Sequence, residues 1–227
     1  MGRPLAVRWG AHELPELQAG SLASVPVELT NLGDTPWRGD RFTVSYHWLD
    51  DLGNAIVWDG LRTAVDAEPG VTARVDARVR APIPPGRYRL SLDVVDESRF
   101  WFGELGEPTL DFDVDVQPRV GTAVARLGDA VAESGWDEQV QAAHREGFAV
   151  VGGSVHGRRL PSELSAYSPP GRVPDFALPL VCPSVLEGVA VEWTEVAGLP
   201  AARPLDGEPS LYDGRIRVRL PSGRRRG

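Results

Sequence analysis

The chain has 227 residues, 42% of them hydrophobic and 25% charged, and a formal net charge of −8. These proportions exclude a disordered chain, a collagen-like fibre and a disulfide-stapled miniprotein, and they allow one large domain or two small ones. Cys182 is the only cysteine, so neither an intrachain disulfide nor a thiolate metal cage can form.

The first half reads as strand after strand. Val25, Val27 and Leu29 alternate with Pro26, Glu28 and Thr30, the period-2 pattern of a strand with one buried face. After the turn residues Asn31 to Pro36, Phe42, Val44, Tyr46 and Trp48 alternate in the same way, and the two runs suggest a hairpin. Three further runs follow: Val75 to Val79, Tyr88 to Val94, and Leu110 to Val116, the last interleaved with Asp111, Asp113 and Asp115. About eight strands within roughly 115 residues have the spacing of an antiparallel β-sandwich, in which each sheet hides one face and wets the other. A first domain over residues 1–118 is expected, ending at Gln117-Pro118.

Three segments of that half carry a resemblance. Asn31-Leu-Gly33 with Trp37, Ser45 to Asp50, and Pro84-Pro-Gly86-Arg-Tyr88-Arg-Leu90 are similar to the immunoglobulin-like β-sandwich modules appended to bacterial glycosyltransferases and other polysaccharide-handling proteins. In such modules an N-x-G-x-x-x-W segment closes one end and a P-G-x-Y-x-L segment opens a late core strand. The resemblance implies a non-catalytic binding or accessory role in glycan handling, with a glycan or a glycosyltransferase-type protein as partner and no cofactor. A fold that hosts many functions leaves the activity to be argued from a site.

Residues 119–227 differ in kind. Val120, Val124, Leu127 and Val131 fall on one stripe of a helix, and Ser134 with Asp137 opens a second helix running toward His144 and ending at Gly147. Phe148 to Val151 reads as a buried strand, the proline-rich stretch Pro161 to Pro183 as extended chain, and Leu186 to Val196 and Arg215 to Leu220 as further strands. A small α+β appendage or a partner-binding arm is expected, because the apolar stripes are thin. The fold class is therefore mainly β, a sandwich followed by that appendage.

Charge narrows the partners. Residues 1–118 carry 11 arginines against 19 acids, whereas 119–227 carry 13 of each. An acidic surface repels phosphate backbones, so nucleic acid is not expected to bind the first half. The arginines from Arg215 to Arg226 read as a solvated end. The longest apolar runs fall short of the roughly 18 residues a membrane helix needs, and Met1 to Gly10 holds no apolar segment behind its arginines, so a cytoplasmic chain without membrane insertion is expected.

Tryptophans supply the candidate binding residues, since sugars stack their C–H faces on aromatic rings. Trp48 shares its face with Phe42, Val44 and Tyr46 and belongs in the core. Trp101, between Phe100 and Phe102, is expected to point outward beside Arg99; Trp58 ends a strand; Trp37 sits in a turn. Trp101, Trp58, Arg99 and Trp37 are the binding candidates, and packing against the second half is the competing role for exposed aromatics. His47, opposite the Trp48 face, reads as a surface histidine.

No catalytic residue is assigned. Asp111, Asp113 and Asp115 resemble the paired aspartates with which nucleotide-sugar glycosyltransferases hold a divalent cation, which keeps a divergent or fragmentary enzyme of that class as an alternative. Alternate residues of a strand stand about 6.6 Å apart, however, too far to share one ion without a turn. A protein–protein adaptor is the other alternative. Gly152-Gly-Ser154-Val-His156 departs from a nucleophile elbow where His156 replaces the second glycine.

Overall fold

Alternation dominates the folding of the first 117 residues: each strand with a period-2 apolar pattern lays that face inward. The computed structural model describes residues 4–157 and 160–221, and the chain divides into two compact units, Met1–Gln117 and Pro118–Gly227. The first unit comprises β1 (Val7–His12), β2 (Leu22–Asn31), β3 (Phe42–Leu49), β4 (Ala55–Val57), β5 (Thr63–Ala64), β6 (Thr72–Arg80), β7 (Gly86–Asp96), β8 (Phe100–Trp101) and β9 (Leu110–Val116). They form two antiparallel sheets, one ordered β1-β2-β6 and one ordered β4-β3-β7-β8 with β5 on β3 and β9 on β7.

One core joins the sheets. Val25, Val27 and Leu29 of β2 meet Ala77 and Val79 of β6 from one side and Phe42, Val44, Tyr46, Trp48, Leu90, Leu92 and Val94 of the other sheet. The architecture is a mainly β, sandwich-like fold. The expected hairpin between β2 and β3 does not form: β2 pairs with β1 and β6, and β3 with β4, β5 and β7. The connection crosses from one sheet to the other. Its turn is tied by Asn31, which donates from Nδ2 to the carbonyls of Thr35 (2.8 Å) and Ala67 (3.0 Å) and accepts from the Gly33 amide at 3.0 Å. Gly33 is required there, because a Cβ would lie 2.6 Å from the Pro4 carbonyl oxygen.

Asp93 is a buried charge within this unit, 1% exposed, accepting from the amides of Val94 (2.7 Å) and Gly103 (2.9 Å). Burial pushes its pKa up to about 6, and the nearby carboxylates of Glu104 and Asp111 act in the same direction.

The second unit holds β10 (Ala123–Ala125), β11 (Val131–Ala132), α1 (Trp136–Glu146), β12 (Val150–His156), β13 (Arg172–Pro174), β14 (Leu180–Val181), β15 (Ser184–Leu186), β16 (Val191–Val196), β17 (Leu199–Pro204) and β18 (Ser210–Arg219). One sheet runs β10-β15-β12-β18-β11 with β13 on β18, and a smaller one runs β14-β17-β16. Ala149, Val150, Leu180, Val185, Ala202 and Tyr212 form a core of the unit's own, so the thin stripes suffice when two sheets share them. The helix expected over Val120 to Val131 is absent: Ala123–Ala125 pairs with β15 instead. Gly121 and Gly128 each cost a helix about 1 kcal/mol, and Gly128 has a positive φ of 59°. The second helix does form, with acids in its first turn, His144 and Arg145 in its last, and Gly135 at its start where Ser134 was the expected cap. Arg224, Arg225 and Arg226 of the basic end lie outside the described residues. No described helix is long and apolar enough to cross a membrane.

β12 and β18 run parallel, and between Gly153 and Ser154 their register jumps from Asp213 to Arg217. The extra residues of β18 press on Gly153, where a Cβ would stand 1.9 Å from the Ile216 carbonyl oxygen.

Two measurements test these points. Gly153→Ala forces backbone against backbone and should lower the stability of the second unit by roughly 3 kcal/mol or more in denaturant titrations; an unchanged midpoint would refute the close approach. Asp93 has a folded pKa raised above its unfolded value, so its protonated form favours folding below about pH 4, and that contribution is lost as pH rises through about 6. Wild type should lose about 3 kcal/mol relative to Asp93→Asn between those pH values, read from paired denaturation curves.

Candidate functional site

Burying Phe42, Val44, Tyr46 and Trp48 sends Thr43, Ser45 and His47 of β3 to the opposite face of their sheet. There the segment after β4 folds back over them. Gly60 donates its amide to the Tyr46 carbonyl at 3.0 Å, and a Cβ at Gly60 would lie 2.6 Å from the Tyr46 ring, so this approach requires glycine. The fold-back sets Trp58 on His47 with ring centroids 4.1 Å apart and planes inclined by 24°. Trp101 meets the same imidazole at 4.1 Å and 43°.

His47 is thus 7% exposed and lies within an aromatic stack, which corrects the surface reading. Its Nδ1 contacts the Trp58 carbonyl oxygen; a carbonyl can only accept, so Nδ1 carries the proton. Burial lowers its pKa, opposed by the Trp58 carbonyl and by Asp59. The imidazole is accordingly neutral near pH 7.

Arg62 organises the rim. It donates to Glu97 Oε1 (2.9 Å), Ser45 Oγ (2.7 Å) and the Gly60 carbonyl (2.9 Å), pairs with Asp59 at 2.6 Å, and holds its guanidinium 5.0 Å from the Trp101 ring centroid. Thr43 donates to Glu97 at 2.6 Å. The result is a layered surface: Trp101 is 9% exposed beneath His47 and Arg62, while Trp58 keeps 54% of its area in solvent.

The four sequence candidates separate. Trp58 is the exposed ring. Trp101 does leave the core, since Phe102 is fully buried on the other side, but it is covered rather than displayed. Trp37 is 0% exposed, between Phe42 and Phe102 at 6.3 and 5.8 Å, and no ring face reaches a ligand. Arg99 lies 4.0 Å from Asp96, whose carboxylate Arg41 already holds with two 2.6 Å bonds. His47, Arg62, Asp59 and Glu97 are site residues that sequence reasoning passed over. Strand parity puts His47 on the outer face of its sheet, but the fold-back that covers it and brings Arg62 has no local signal.

The aspartate ladder is exposed along β9. Asp111 accepts from Ser91 (2.7 Å) and Thr109 (2.9 Å), and Asp113 pairs with Arg89 at 3.3 Å. Among the described residues no three metal-ligating side chains gather. Asp113 and Asp115 edge an open cleft of about 570 Å³ with Asp50, Asp51, Arg87 and Tyr88. The Tyr88 hydroxyl there is already committed to the Pro84 carbonyl at 2.7 Å.

Two serine–histidine pairs occur in the second unit. Ser154 donates its proton to the Gly214 carbonyl at 3.0 Å, and in that arrangement His156 Nε2, 2.8 Å away, donates to the serine. His144 donates from Nδ1 to the Phe148 carbonyl (2.8 Å) and accepts from Ser184 at 2.9 Å, but the pair is 4% and 2% exposed and ties α1 to β15.

Neither a known protein family nor a curated protein matches the chain. Among solved structures it is weakly similar to a beta-glucosidase from Listeria innocua, seen with glucose and with isofagomine, at 15% identity and a TM-score of 0.28 over 49% of this chain and 16% of that one. It is also weakly similar to a mutant Salmonella alpha-2-macroglobulin, at 18% identity and a TM-score of 0.29 over 57% of this chain and 8% of that one. The chain thus spans about a sixth of the glucosidase's length or less.

Proposed function

We propose that the first unit is an immunoglobulin-like module that binds glycan through Trp58 and serves as a non-catalytic accessory in polysaccharide handling. The observation that carries this reading is the half-exposed Trp58 ring, backed by His47 and Trp101 and rimmed by Asp59, Arg62 and Glu97. A ring fixed before a ligand arrives loses little freedom on binding, and the rim offers donors and acceptors to sugar hydroxyls.

Three features support the fold-level part. The strands of the first unit divide between two antiparallel sheets as a sandwich requires. Trp48 on β3 is fully buried, with its indole nitrogen donating to the Arg80 carbonyl at 2.9 Å. Tyr88 near the start of β7 donates its hydroxyl to the Pro84 carbonyl four residues upstream, in the manner of the tyrosine corner of such domains. A cytoplasmic setting and a glycosyltransferase-type partner belong to the same proposal.

Titration calorimetry and tryptophan fluorescence against neutral and acidic polysaccharides test it. Saturable binding with a change in emission is expected, and Trp58→Ala should weaken it at least about tenfold, or about 1.4 kcal/mol, with the fold intact because half of that ring is already in water. Neither heat nor a fluorescence change with any glycan would overturn the carbohydrate reading.

A further inference from the structure

The charges around Trp58 narrow the ligand beyond glycan in general. Arg62 is the cation of the rim, and its donors are turned inward. Nε donates to Glu97 at 2.9 Å, one terminal nitrogen donates to Ser45 (2.7 Å) and to the Gly60 carbonyl (2.9 Å), and the other pairs with Asp59 at 2.6 Å. All three of its nitrogens are engaged within the chain, so little of its donor capacity is left for a ligand.

The carboxylates are freer. Asp59 keeps 67% of its side chain in solvent and meets Arg62 through Oδ1. Glu97 gives Oε1 to both Arg62 and the Thr43 hydroxyl. The second oxygen of each carboxylate lies outside these contacts. Glu104, exposed on the turn after Trp101, adds a third acid, with Oε2 accepting from the Trp101 amide at 3.2 Å. Arg41 and Arg99 do not reverse the balance, since both pair with Asp96.

The imidazole that backs Trp58 registers the same excess of acid. Burial lowers the His47 pKa and Arg62 acts with burial, whereas the Trp58 carbonyl, Asp59 and Glu104 all favour a positive charge there. Residues 1–118 carry 11 arginines against 19 acids, so the long-range field of the unit has the same sign.

An exposed indole attracts cations as well as C–H faces, because its ring faces carry the negative end of a quadrupole. A neutral sugar would use the ring alone, and a uronic acid would meet the rim carboxylates as a like charge. A sugar bearing an ammonium group uses the ring and the rim together.

We propose that the Trp58 site is selective for glycans that carry a protonated amine, the sugar lying on the indole and its ammonium group donating to Asp59. This rests on the glycan reading above and adds to it the class of sugar.

The probes are short glucosamine oligosaccharides, the same oligosaccharides N-acetylated, and oligogalacturonate. Each is titrated into the full chain at about pH 6, where an amine is charged, and binding is read by calorimetry and tryptophan emission. The amine form should bind at least about threefold more tightly than the acetylated form, with the acidic one weakest. Raising the salt concentration should narrow that preference. Asp59→Asn should reduce it at least about twofold, and the new amide oxygen can still accept from Arg62. Asp76→Asn, which removes the same charge from β6 in the other sheet, should leave the preference unchanged. Trp58→Ala should weaken the amine and acetylated forms alike. Equal or tighter binding of the acetylated form overturns the selectivity and leaves the glycan reading standing. An unchanged preference in Asp59→Asn, or an equal loss in Asp76→Asn, also overturns it, and an absence of binding by all three probes overturns both readings.

Discussion

Everything in the first unit depends on the burial of one face of each sheet against the other. Side chains alternate along a strand, so the commitment of Phe42, Val44, Tyr46 and Trp48 to the core leaves no freedom for the residues between them. Thr43, Ser45 and His47 must appear together on the outer face, in register with their neighbours on β7. A register slip of one residue would place His47 in an apolar core and Trp48 in water. The apolar core therefore positions the polar site without touching it, and the aromatic stack inherits the rigidity of the most buried strands in the unit.

In the second unit the corresponding constraint is the absence of a side chain. Gly153 lets the β18 backbone approach closer than any other residue would permit, and the register shifts there so that Arg217 comes to stand opposite Ser154. One unit places its polar residues by filling space and the other by leaving it empty. The rim of Trp58 sets two carboxylates, Asp59 and Glu97, against the one guanidinium of Arg62.

Much of the first unit was legible because period-2 alternation is a strong signal over seven to eleven residues. It located β2, β3, β6, β7 and β9, and it placed Trp48 in the core. Pairing was harder to read. β2 and β3 are adjacent in sequence but lie in different sheets, and alternation cannot say which strand a buried face will meet. The same limit explains Trp101 and His47: parity gives the side of the sheet, but cover came from a loop that folds back at Gly60. In the second unit the spacing of Val120, Val124, Leu127 and Val131 suited a helix, but two glycines weakened it and β15 offered a hydrogen-bonding edge. Of the three candidate tryptophans, Trp58 alone is exposed, and Arg99, which is also exposed, lies beside Asp96.

Cys182 shows how a single buried atom can report on the unit that surrounds it. The residue is 2% exposed, burial pushes its pKa up to about 12, and its sulfur faces the Leu127 carbonyl at 3.4 Å. Alkylating reagents attack the thiolate, which is scarce at neutral pH in this environment and becomes common only when water reaches the sulfur. Because the sequence holds no other thiol, the rate of alkylation measures how often the second unit opens, in a protein that needs no engineered label.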